Sequence, residues 1–377
     1  MNTADMFTDI DTAMTRAVED GVFPGAVLLW GDVSRIMFHR AYGVADLTTG
    51  ESVEPACIFD LASLTKPLAT ALATAELVRM GRVSLNTPVG DILPGFRETG
   101  KASINMDMLL RHTSGLPAHR AYFKTLAGPG CDARKQLREM ILAEPLEVPP
   151  GTKEIYSDLG YILLAWVVEI LSGQRLDRFV YDCIYGPLEI EALFYVDLDN
   201  RYGEGLLSGC ETFRGIPPCV AATSRCPWRG KLIRGEVEDE NAWAAGGVEG
   251  HAGLFGDALS VYRLCCEILK AIGHGDPKVL DPAILSALTK PLPGFARTAG
   301  FDMPSGENSS AGRLFSRAGL GHLGFTGTSF WMDPDSGCIT VLLTNRVHPS
   351  RDNWKIKSFR PDIHDLISLK NNTNIRV

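Results

Sequence analysis

The chain has 377 residues, of which 45% are hydrophobic and 22% charged, and its formal net charge at pH 7 is −8. This composition is typical of a folded globular protein with one large core or two moderate ones, and not of a disordered chain. Because the net charge is negative and the Lys and Arg residues are scattered, the sequence argues against binding to nucleic acid or to anionic membranes.

The N-terminus and the cysteines bear on the cellular compartment. Residues 1–21 are acidic and lack the basic start and apolar core of a signal peptide, and no apolar stretch reaches the length of a membrane span. Nine cysteines, of which Cys265 and Cys266 are adjacent, form no CxxC pair and no regular spacing. This pattern favours reduced thiols over a disulfide framework, so we expect a cytoplasmic protein without a membrane partner.

Both ends of the chain carry strand patterns next to a helix. Apolar positions at helical spacing predict an amphipathic helix over residues 4–20. The β-type runs 25–30 and 35–43 surround the turn sequence GDVS and predict a hairpin. The runs GTSFWMD and CITVLLTN surround PDSG and predict a second hairpin, and a last helix is expected at about 354–370.

The middle of the chain has helical patterns separated by Pro and Gly. Residues 200–257 are rich in Gly and predict loops and short strands. The predicted helices, each an apolar run at helical spacing, cover 63–80, 106–111, 134–143, 158–172 and 176–184.

The order of these elements predicts an α/β fold of the α+β kind, in which an antiparallel sheet flanked by helices is formed from both chain ends. Residues 1–60 and 245–377 would form this domain, and residues 61–244 a mostly helical insertion. A cleft between the two domains is the expected place for a functional site.

The segment FDLASLTKPLATALAT (59–74) places Ser63 three residues before Lys66 at the start of an apolar helix. A capped helix explains the pattern, since serine is a good N-cap and Pro67 is tolerated in a first turn. A catalytic pair explains it as well, because the helix dipole and a lysine one turn later ease loss of the serine proton. About one S-x-x-K match is expected by chance in a chain of this length, so both interpretations stay open here.

Two other segments carry reactive side chains next to regular elements. EIYSDLGYILLAWVVEI places Tyr156 and Asp158 immediately before an apolar helix. An Asp N-cap with a packed tyrosine is the structural alternative. GHLGFTGTSFWMD places His322 and Gly324 at the entrance to a strand, where glycine permits a close backbone approach and a plain turn is the alternative.

In this order, Ser63-Leu-Thr-Lys66, Tyr156-Ser-Asp158 and His322-Leu-Gly324 resemble the three-motif set of the serine β-lactamase and penicillin-binding-protein family. They are most similar to its class C branch, which also holds family VIII carboxylesterases, DD-peptidases and D-amino-acid peptidases. The segments LLRHTSGLP, PPGTKEIYSDLGY and GFTGTSFWMDP look like parts of the same branch. The resemblance implies the β-lactamase/transpeptidase-like fold.

Two motif positions differ from the usual pattern of this family. The second motif is usually Tyr-x-Asn, and Asp158 takes the place of the asparagine. The third is Lys-Thr-Gly in β-lactamases proper, and His322 takes the place of the lysine, as is seen in esterase and peptidase members. Both differences weigh against β-lactamase activity more than against the fold.

The resemblance implies roles for four residues in acyl transfer. Ser63 would attack the acyl carbon and form an acyl-enzyme, and Tyr156 would take the serine proton and return it to the leaving group. Lys66 would lower the free energy of a tyrosinate through its charge. We hypothesise that the carboxylate of Asp158 keeps Lys66 in its ammonium form.

The resemblance also implies how the pocket is lined. The oxyanion would lie between the amides of Ser63 and Phe325, the residue after Gly324, and His322 would line the pocket. The Gly-rich segment 242–256 contains His251, for which a structural role is favoured over substrate contact. The runs CPWRG and GEVEDENA within residues 226–242 offer Trp228, Arg229 and Glu238 as specificity candidates, with a solvated loop around one packed tryptophan as the alternative.

The sequence therefore predicts a serine hydrolase that acts on a small ester or amide through an acyl-enzyme, with short-chain carboxylic esters favoured. A DD-peptidase, a D-amino-acid or muropeptide amidase, and a penicillin-recognising protein with weak or no turnover are the alternatives. The absence of a G-x-S-x-G motif argues against an α/β-hydrolase, and the eight histidines show no zinc-binding spacing. No cofactor or metal is expected, and the sequence leaves the oligomeric state open.

Overall fold

A computed structural model describes residues 7–97, 99–126, 131–199, 218–306 and 309–374. The strands are β1 (Gly25–Asp32), β2 (Ile36–Asp46), β3 (Glu51–Ser52), β4 (Phe59–Asp60), β5 (Leu193–Tyr195), β6 (Ala222–Cys226), β7 (Lys231–Arg234), β8 (Leu254–Gly256), β9 (Leu320–Leu323), β10 (Ser329–Met332) and β11 (Cys338–Thr344). The α-helices are α1 (Thr8–Glu19), α2 (Leu72–Arg79), α3 (Pro94–Arg97), α4 (Met106–Leu110), α5 (Cys131–Ala143), α6 (Asp158–Ser172), α7 (Leu176–Val180), α8 (Glu240–Ala244), α9 (Ala258–Leu269), α10 (Pro282–Thr289) and α11 (Ile356–Asn374).

The main sheet has six antiparallel strands in the order β3-β2-β1-β11-β10-β9. Both predicted hairpins are present, and β1 pairs with β11, so that Leu28 lies opposite Leu342 and the two chain ends meet in the middle of the sheet. The predicted antiparallel sheet formed from both chain ends is therefore confirmed. Two smaller sheets have the orders β4-β8-β5 and β6-β7.

Strand β1 is apolar along its length because both faces of the sheet are covered. Val27 and Leu29 point to one side and pack in the core that contains α9 and the inserted helices. Ala26, Leu28 and Trp30 point to the other side and pack against α1 and α11. Since successive strand residues alternate between faces, burial of both faces explains an unbroken apolar run in place of an alternating one.

The helices between the chain ends agree with most of the predicted segments. Helix α6 lies in the middle of the large core, and eight of its residues from Leu159 to Val168 are less than 2% exposed, which explains a helix that is apolar on nearly every side. It ends at Gly173, whose φ of +74° forms the left-handed C-terminal cap. Helix α9 was not predicted, although Asp257 caps its N-terminus and its apolar positions have helical spacing.

The predicted single helix over residues 63–80 is instead three consecutive segments. A 3-10 turn covers Ala62–Leu64, a π-helical segment covers Lys66–Ala71, and α2 begins at Leu72. Pro67 has no amide to donate to the carbonyl of Ser63, which removes one bond of the regular α-helical ladder. The prediction was right about a helical segment and wrong about its regularity.

Side chains from distant parts of the fold hold this segment in place. The Thr65 hydroxyl donates to the carbonyl of Ala62 (2.6 Å) and accepts from the amide of Leu254 (3.1 Å). The Tyr185 hydroxyl donates to the carbonyl of Leu68 at 2.8 Å in a fully buried position. Because Leu254 and Tyr185 lie outside the segment, tertiary contacts help to fix the irregular turn in addition to its own hydrogen bonds.

Cys57 and Cys219 are joined by a disulfide, with their Cα atoms 4.8 Å apart. The expectation of reduced thiols is therefore wrong for this pair, because the fold brings together two cysteines that are 162 residues apart in the chain. Five other cysteines of the described residues are free. The predicted domain boundaries at residues 60 and 245 stay a prediction.

Over the described ranges, no single helix is long and apolar enough to cross a membrane. The pair Asp158–Ser172 and Leu176–Tyr185 meets that length and composition only when the two segments are taken together, and they are bent by 71°.

We expect Tyr185→Phe to lower the free energy of unfolding by about 1–2 kcal/mol, since it leaves the buried carbonyl of Leu68 without its side-chain donor. Urea unfolding followed by circular dichroism measures this. Tyr181→Phe is the matched control, since Tyr181 is half-buried in the same π-helical turn and its hydroxyl makes no such bond within the described part of the chain. Equal unfolding midpoints for wild type and Tyr185→Phe would contradict the assigned role.

Candidate active site

Ser63 lies in the 3-10 turn after β4 and is half-buried at the floor of the cleft. The residue before it, Ala62, has a φ of +48°, a left-handed conformation that is strained for a residue with a Cβ. No side chain caps this turn, so the N-cap explanation of Ser63 is wrong. Its hydroxyl oxygen instead accepts a hydrogen bond from Lys66 at 3.2 Å.

Lys66 is fully buried, and all three of its N–H donors have acceptors. Nζ donates to Ser63 Oγ (3.2 Å), to Asp158 Oδ1 (2.8 Å) and to the carbonyl of His251 (3.0 Å). Burial acts to lower the pKa of Lys66, but the charge and hydrogen bond of Asp158 together with the neighbouring Tyr156 outweigh it, and the pKa is raised above its ordinary value. These contacts favour the ammonium form of Lys66 at neutral pH.

Asp158 is the first residue of α6 and contacts two cationic groups. Oδ1 accepts from Lys66, and Oδ2 lies 3.3 Å from Nδ1 of His119 at the rim of the cleft. Burial acts to raise the pKa of Asp158, but the Lys66 ammonium and the hydrogen bond with His119 together outweigh it, and the pKa is lowered well below its usual range. The hydrogen bond to Asp158 raises the pKa of His119. The pattern-based analysis did not find His119, since a lone histidine after a Gly-Leu-Pro turn carries no signal of its own.

Tyr156 lies between the cation and two aromatic rings. Lys66 Nζ is 4.9 Å from the centre of its ring, and the hydroxyl interacts with both Ser63 and Lys66. The ring of His112 packs against it at 4.5 Å, and that of His322 lies at 5.9 Å. Burial raises the pKa of Tyr156, and the charge of Lys66 offsets only part of that rise, so at rest the side chain is a neutral phenol.

The third motif is held against the Ser63 turn through backbone carbonyls. Thr326 Oγ1 donates to the carbonyl of Asp60 at 2.7 Å, and Thr328 Oγ1 donates to that of Leu61 at 3.1 Å. A Cβ at Gly324 would clash with Thr328 and lie 2.7 Å from the Leu61 carbonyl, so the close approach predicted at this glycine is present.

The two amides expected to form an oxyanion hole are free. Within the described residues, the amides of Ser63 and Phe325 donate to no protein acceptor. The hydrogen bonds of the third motif bring the two segments together at the cleft, which Ser63, Gly324 and Phe325 line. Unused amides on both sides of a nucleophile are what an oxyanion hole requires.

His322 is buried on β9 and faces Tyr156. Its Nδ1 lies 3.0 Å from the carbonyl of Leu323, which assigns the proton to Nδ1 and leaves Nε2 as an acceptor. Burial lowers the pKa of His322 to about 4. The third motif therefore carries no positive charge at neutral pH.

The two weaker candidates, His251 and Trp228, have different surroundings. His251 borders the cleft, but its ring is 1% exposed and Nε2 lies 2.9 Å from Asp239 Oδ1, while its carbonyl accepts from Lys66. Trp228 does not line the described cleft and packs between Phe123 and Trp243. Of the specificity candidates Trp228, Arg229 and Glu238, only Glu238 lines the described cleft.

The cleft encloses about 590 Å³ and is lined by both acidic and basic residues. The acidic wall consists of Glu238, Asp239 and Glu240, of which Glu238 and Glu240 pair with Arg351. The basic lining residues include Arg346, Arg360 and Lys357, and the rings of Phe325 and Trp354 lie beside Arg346. The basic residues had no motif to mark them, because they come from the chain after β11 and from α11.

The sequence profile of the beta-lactamase family matches residues 10–357. The chain belongs to the beta-lactamase family. A curated relative from Salmonella schwarzengrund, named "Putative D-alanyl-D-alanine carboxypeptidase", is 32% identical over 357 residues, which cover 89% of this chain and 82% of the relative. The family predicted from the three motifs is confirmed, and the protein is a serine hydrolase.

Two solved structures of this fold cover nearly all of the chain. "EstCE1, a hydrolase with promiscuous acyltransferase activity" is 21% identical with a TM-score of 0.71, over 97% of this chain and 99% of its own. A mutant of simvastatin synthase from Aspergillus terreus is 19% identical with a TM-score of 0.73, over 98% and 96%. At these identities the likeness shows the fold alone.

Within the described residues of this beta-lactamase-family hydrolase, no group of three or more His, Cys, Asp or Glu side chains is placed to hold a metal ion. The catalytic roles of Ser63, Lys66 and Tyr156 stay a prediction, but the fold brings the three side chains together with Asp158.

We expect Asp158→Asn to move the alkaline limb of kcat/KM to lower pH by about one unit or more, because burial would then lower the pKa of Lys66 without a carboxylate to oppose it. The pH dependence of ester hydrolysis measures this. His119→Gln is the control, since it removes the other partner of Asp158 and leaves Lys66 untouched. An unchanged rate and pH profile in Asp158→Asn would show that the carboxylate does not control Lys66.

Proposed function

We propose that this protein hydrolyses an ester or amide through an acyl-enzyme on Ser63, and that its substrate carries a free carboxylate beside the scissile bond, as a carboxypeptidase substrate does. The single observation behind this proposal is a pair of buried arginines in the cleft wall. The name of the Salmonella relative supports a peptide that ends in D-alanine as the first substrate to test.

Arg360 is 5% exposed and lines the cleft. It donates to the carbonyl of Thr328 at 2.9 Å, while its Nε has no partner within the described residues. Burial lowers its pKa to about 9, so it is charged at neutral pH. A buried guanidinium with an unused donor is a site at which an anion gains charge-assisted hydrogen bonds.

Arg346 extends the same positive surface towards the nucleophile. It donates to the carbonyl of Phe325, whose amide faces the expected oxyanion, and to the carbonyl of Asn353 at 2.8 Å. Burial lowers its pKa to about 10. Among the described residues neither Arg346 nor Arg360 forms an ion pair with a carboxylate, whereas the nearby Arg351 pairs with Glu238 and Glu240. The two arginines are thus available to a carboxylate of the substrate.

The reaction we infer transfers one proton through Tyr156. Ser63 Oγ attacks the carbonyl carbon, and its proton moves to the Tyr156 oxygen as the phenol proton of Tyr156 moves to the departing nitrogen or oxygen. This concerted exchange needs no free tyrosinate, which burial would make costly. Lys66 stays an ammonium ion, and the amides of Ser63 and Phe325 stabilise the oxyanion. Water then releases the acid from Ser63.

Short-chain carboxylic esters, which the sequence favoured, are the second candidate. The cleft has an apolar part formed by Ala252, Leu323 and Phe325, which offers room for a short acyl chain next to Ser63. An ester needs less proton donation to its leaving group than an amide does, so a phenol held as an acid suffices for either.

Ser63→Ala tests the acyl-enzyme directly. We expect it to remove turnover of p-nitrophenyl butyrate and of a peptide ending in D-alanyl-D-alanine, and to remove any covalent penicillin adduct seen by intact mass. The change leaves the shape of the turn intact, so a folded protein with normal circular dichroism is the control. Turnover that survives in Ser63→Ala would exclude Ser63 as the nucleophile.

Arg360→Met tests the carboxylate contact with a side chain of similar length. We expect kcat/KM to fall about tenfold or more for a peptide with a free C-terminal carboxylate, and to change little for the same peptide with an amidated C-terminus. Arg82→Met, at an exposed position away from the cleft, is the matched control. Equal losses on both peptides would mean that Arg360 does not read the carboxylate.

A further inference from the structure

Asp60 is a buried acid directly below the nucleophile turn, and the mechanism above does not use it. It is 2% exposed. Its Oδ1 accepts from the amide of Ala62 at 2.8 Å, and its Oδ2 accepts from the amide of Glu238 at 2.6 Å. The carbonyl of the same residue accepts from Thr326. One residue therefore joins the Ser63 turn, the acidic wall and the third motif.

The surroundings of this carboxyl group are unusual for an ionised side chain. No Lys, Arg or His pairs with it in the described residues, and the acidic groups of Glu238 and Asp239 lie close by. Arg351 pairs with Glu238 at 2.6 Å, and His251 Nε2 lies 2.9 Å from Asp239 Oδ1. Among the described residues, the amides of Ala62 and Glu238 are the hydrogen-bond donors to the Asp60 carboxylate.

We propose that Asp60 is a positioning residue whose ionised form holds the strained Ala62 amide and thereby sets Ser63 for attack, so that protonation of Asp60 switches acylation off. This rests on the proposed role of Ser63 as the nucleophile. A carboxylate accepts at both oxygens, but a protonated carboxyl has one O–H that would face an amide N–H, and one of the two bonds is then lost.

The bond at risk controls the geometry of the site. Ala62 has its φ at +48°, a conformation that persists only where neighbouring contacts enforce it. If the amide of Ala62 or that of Glu238 is released, the turn can relax and move the Ser63 hydroxyl and amide away from Lys66 and the oxyanion position.

We expect the protonation of Asp60 to fall in the neutral pH range. Burial raises the pKa of Asp60 to about 7, although the two amide bonds oppose that rise. The hydrogen bond of His119 to Asp158 also raises the pKa of His119. The two groups must therefore be separated by experiment.

The first experiment measures the pre-steady-state acylation rate with p-nitrophenyl butyrate from about pH 5.5 to about pH 8.5. It uses His119→Gln, in which the imidazole of His119 can no longer contribute to the pH dependence. We expect the rate to fall about tenfold between pH 8 and pH 6. Asp60→Asn in the same background should be slow and nearly independent of pH over this range. An acid limb that persists in Asp60→Asn would overturn the proposal.

A second measurement holds even if Asp60→Asn fails to fold. In His119→Gln, infrared difference spectra between high and low pH should gain the band of one protonated carboxyl group, with the same midpoint as the acylation rate. A missing band, or a midpoint away from the kinetic one, would overturn the proposal. Ser63→Ala distinguishes a failure of the proposed function from a failure of the Asp60 proposal. If Ser63→Ala is still acylated, Ser63 is not the nucleophile and the proposed function is wrong. If acylation is lost in Ser63→Ala but the acid limb persists in Asp60→Asn, only the Asp60 proposal is wrong.

The pH dependence of thermal stability tests the titration of Asp60 independently of the acylation rate. Since the folded pKa of Asp60 lies above its unfolded value, its ionisation destabilises the fold increasingly as pH rises from about 4 to about 7. The Tm of Asp60→Asn relative to wild type should therefore rise over that interval while its acylation rate stays low. A difference in Tm that does not change with pH would show that Asp60 does not titrate there.

Discussion

The buried ammonium of Lys66 is the interaction on which the rest of the site depends. Its three donors reach Ser63, the carboxylate of Asp158 and the carbonyl of His251, so three separate segments converge on one charge. Without these partners, the buried ammonium would lower the free energy of unfolding by several kcal/mol. The start of α6, the loop before β8 and the irregular turn after β4 are therefore held together by this one group. The same pairing underlies the proposed mechanism. In it, a lysine that keeps its proton acts through its electric field, and Tyr156 transfers the proton.

Both departures from the usual motif pattern, Asp158 and His322, make the charge of the cleft more negative. Asp158 adds a negative charge next to Lys66, and His322 is neutral because burial lowers its pKa. Arg346 and Arg360, from the C-terminal part of the chain, add positive charge to the cleft lining. The charge next to the nucleophile belongs to the Lys66–Asp158 ion pair, whereas these two arginines have no carboxylate partner within the described residues. This arrangement is consistent with a hydrolase that selects by charge and carries out proton transfer with neutral groups.

Strain and unmatched polar groups concentrate around the nucleophile. Ala62 has a left-handed backbone, and within the described residues Asp60 is a buried acid without a paired cation and Arg360 has a buried donor without an acceptor. None of these features favours folding on its own, and the surrounding tertiary contacts hold them in place. Strained or unpaired groups persist where the surrounding contacts stabilise the fold by more than these groups destabilise it. They are commonly found at functional sites.

The sequence alone determined the family, the antiparallel sheet built from both chain ends and the candidate catalytic residues. These follow from local rules: helical spacing puts Ser63 and Lys66 on one face, and apolar runs around turn residues define the hairpins. The tertiary structure decided what depends on residues far apart in the chain. It showed that the Ser63 hydroxyl caps no helix, that Cys57 meets Cys219, and that Arg346 and Arg360 line the same cleft as Ser63. These outcomes have no local pattern, because a contact across more than a hundred residues is set by how the cores pack and not by the spacing of residues within one element.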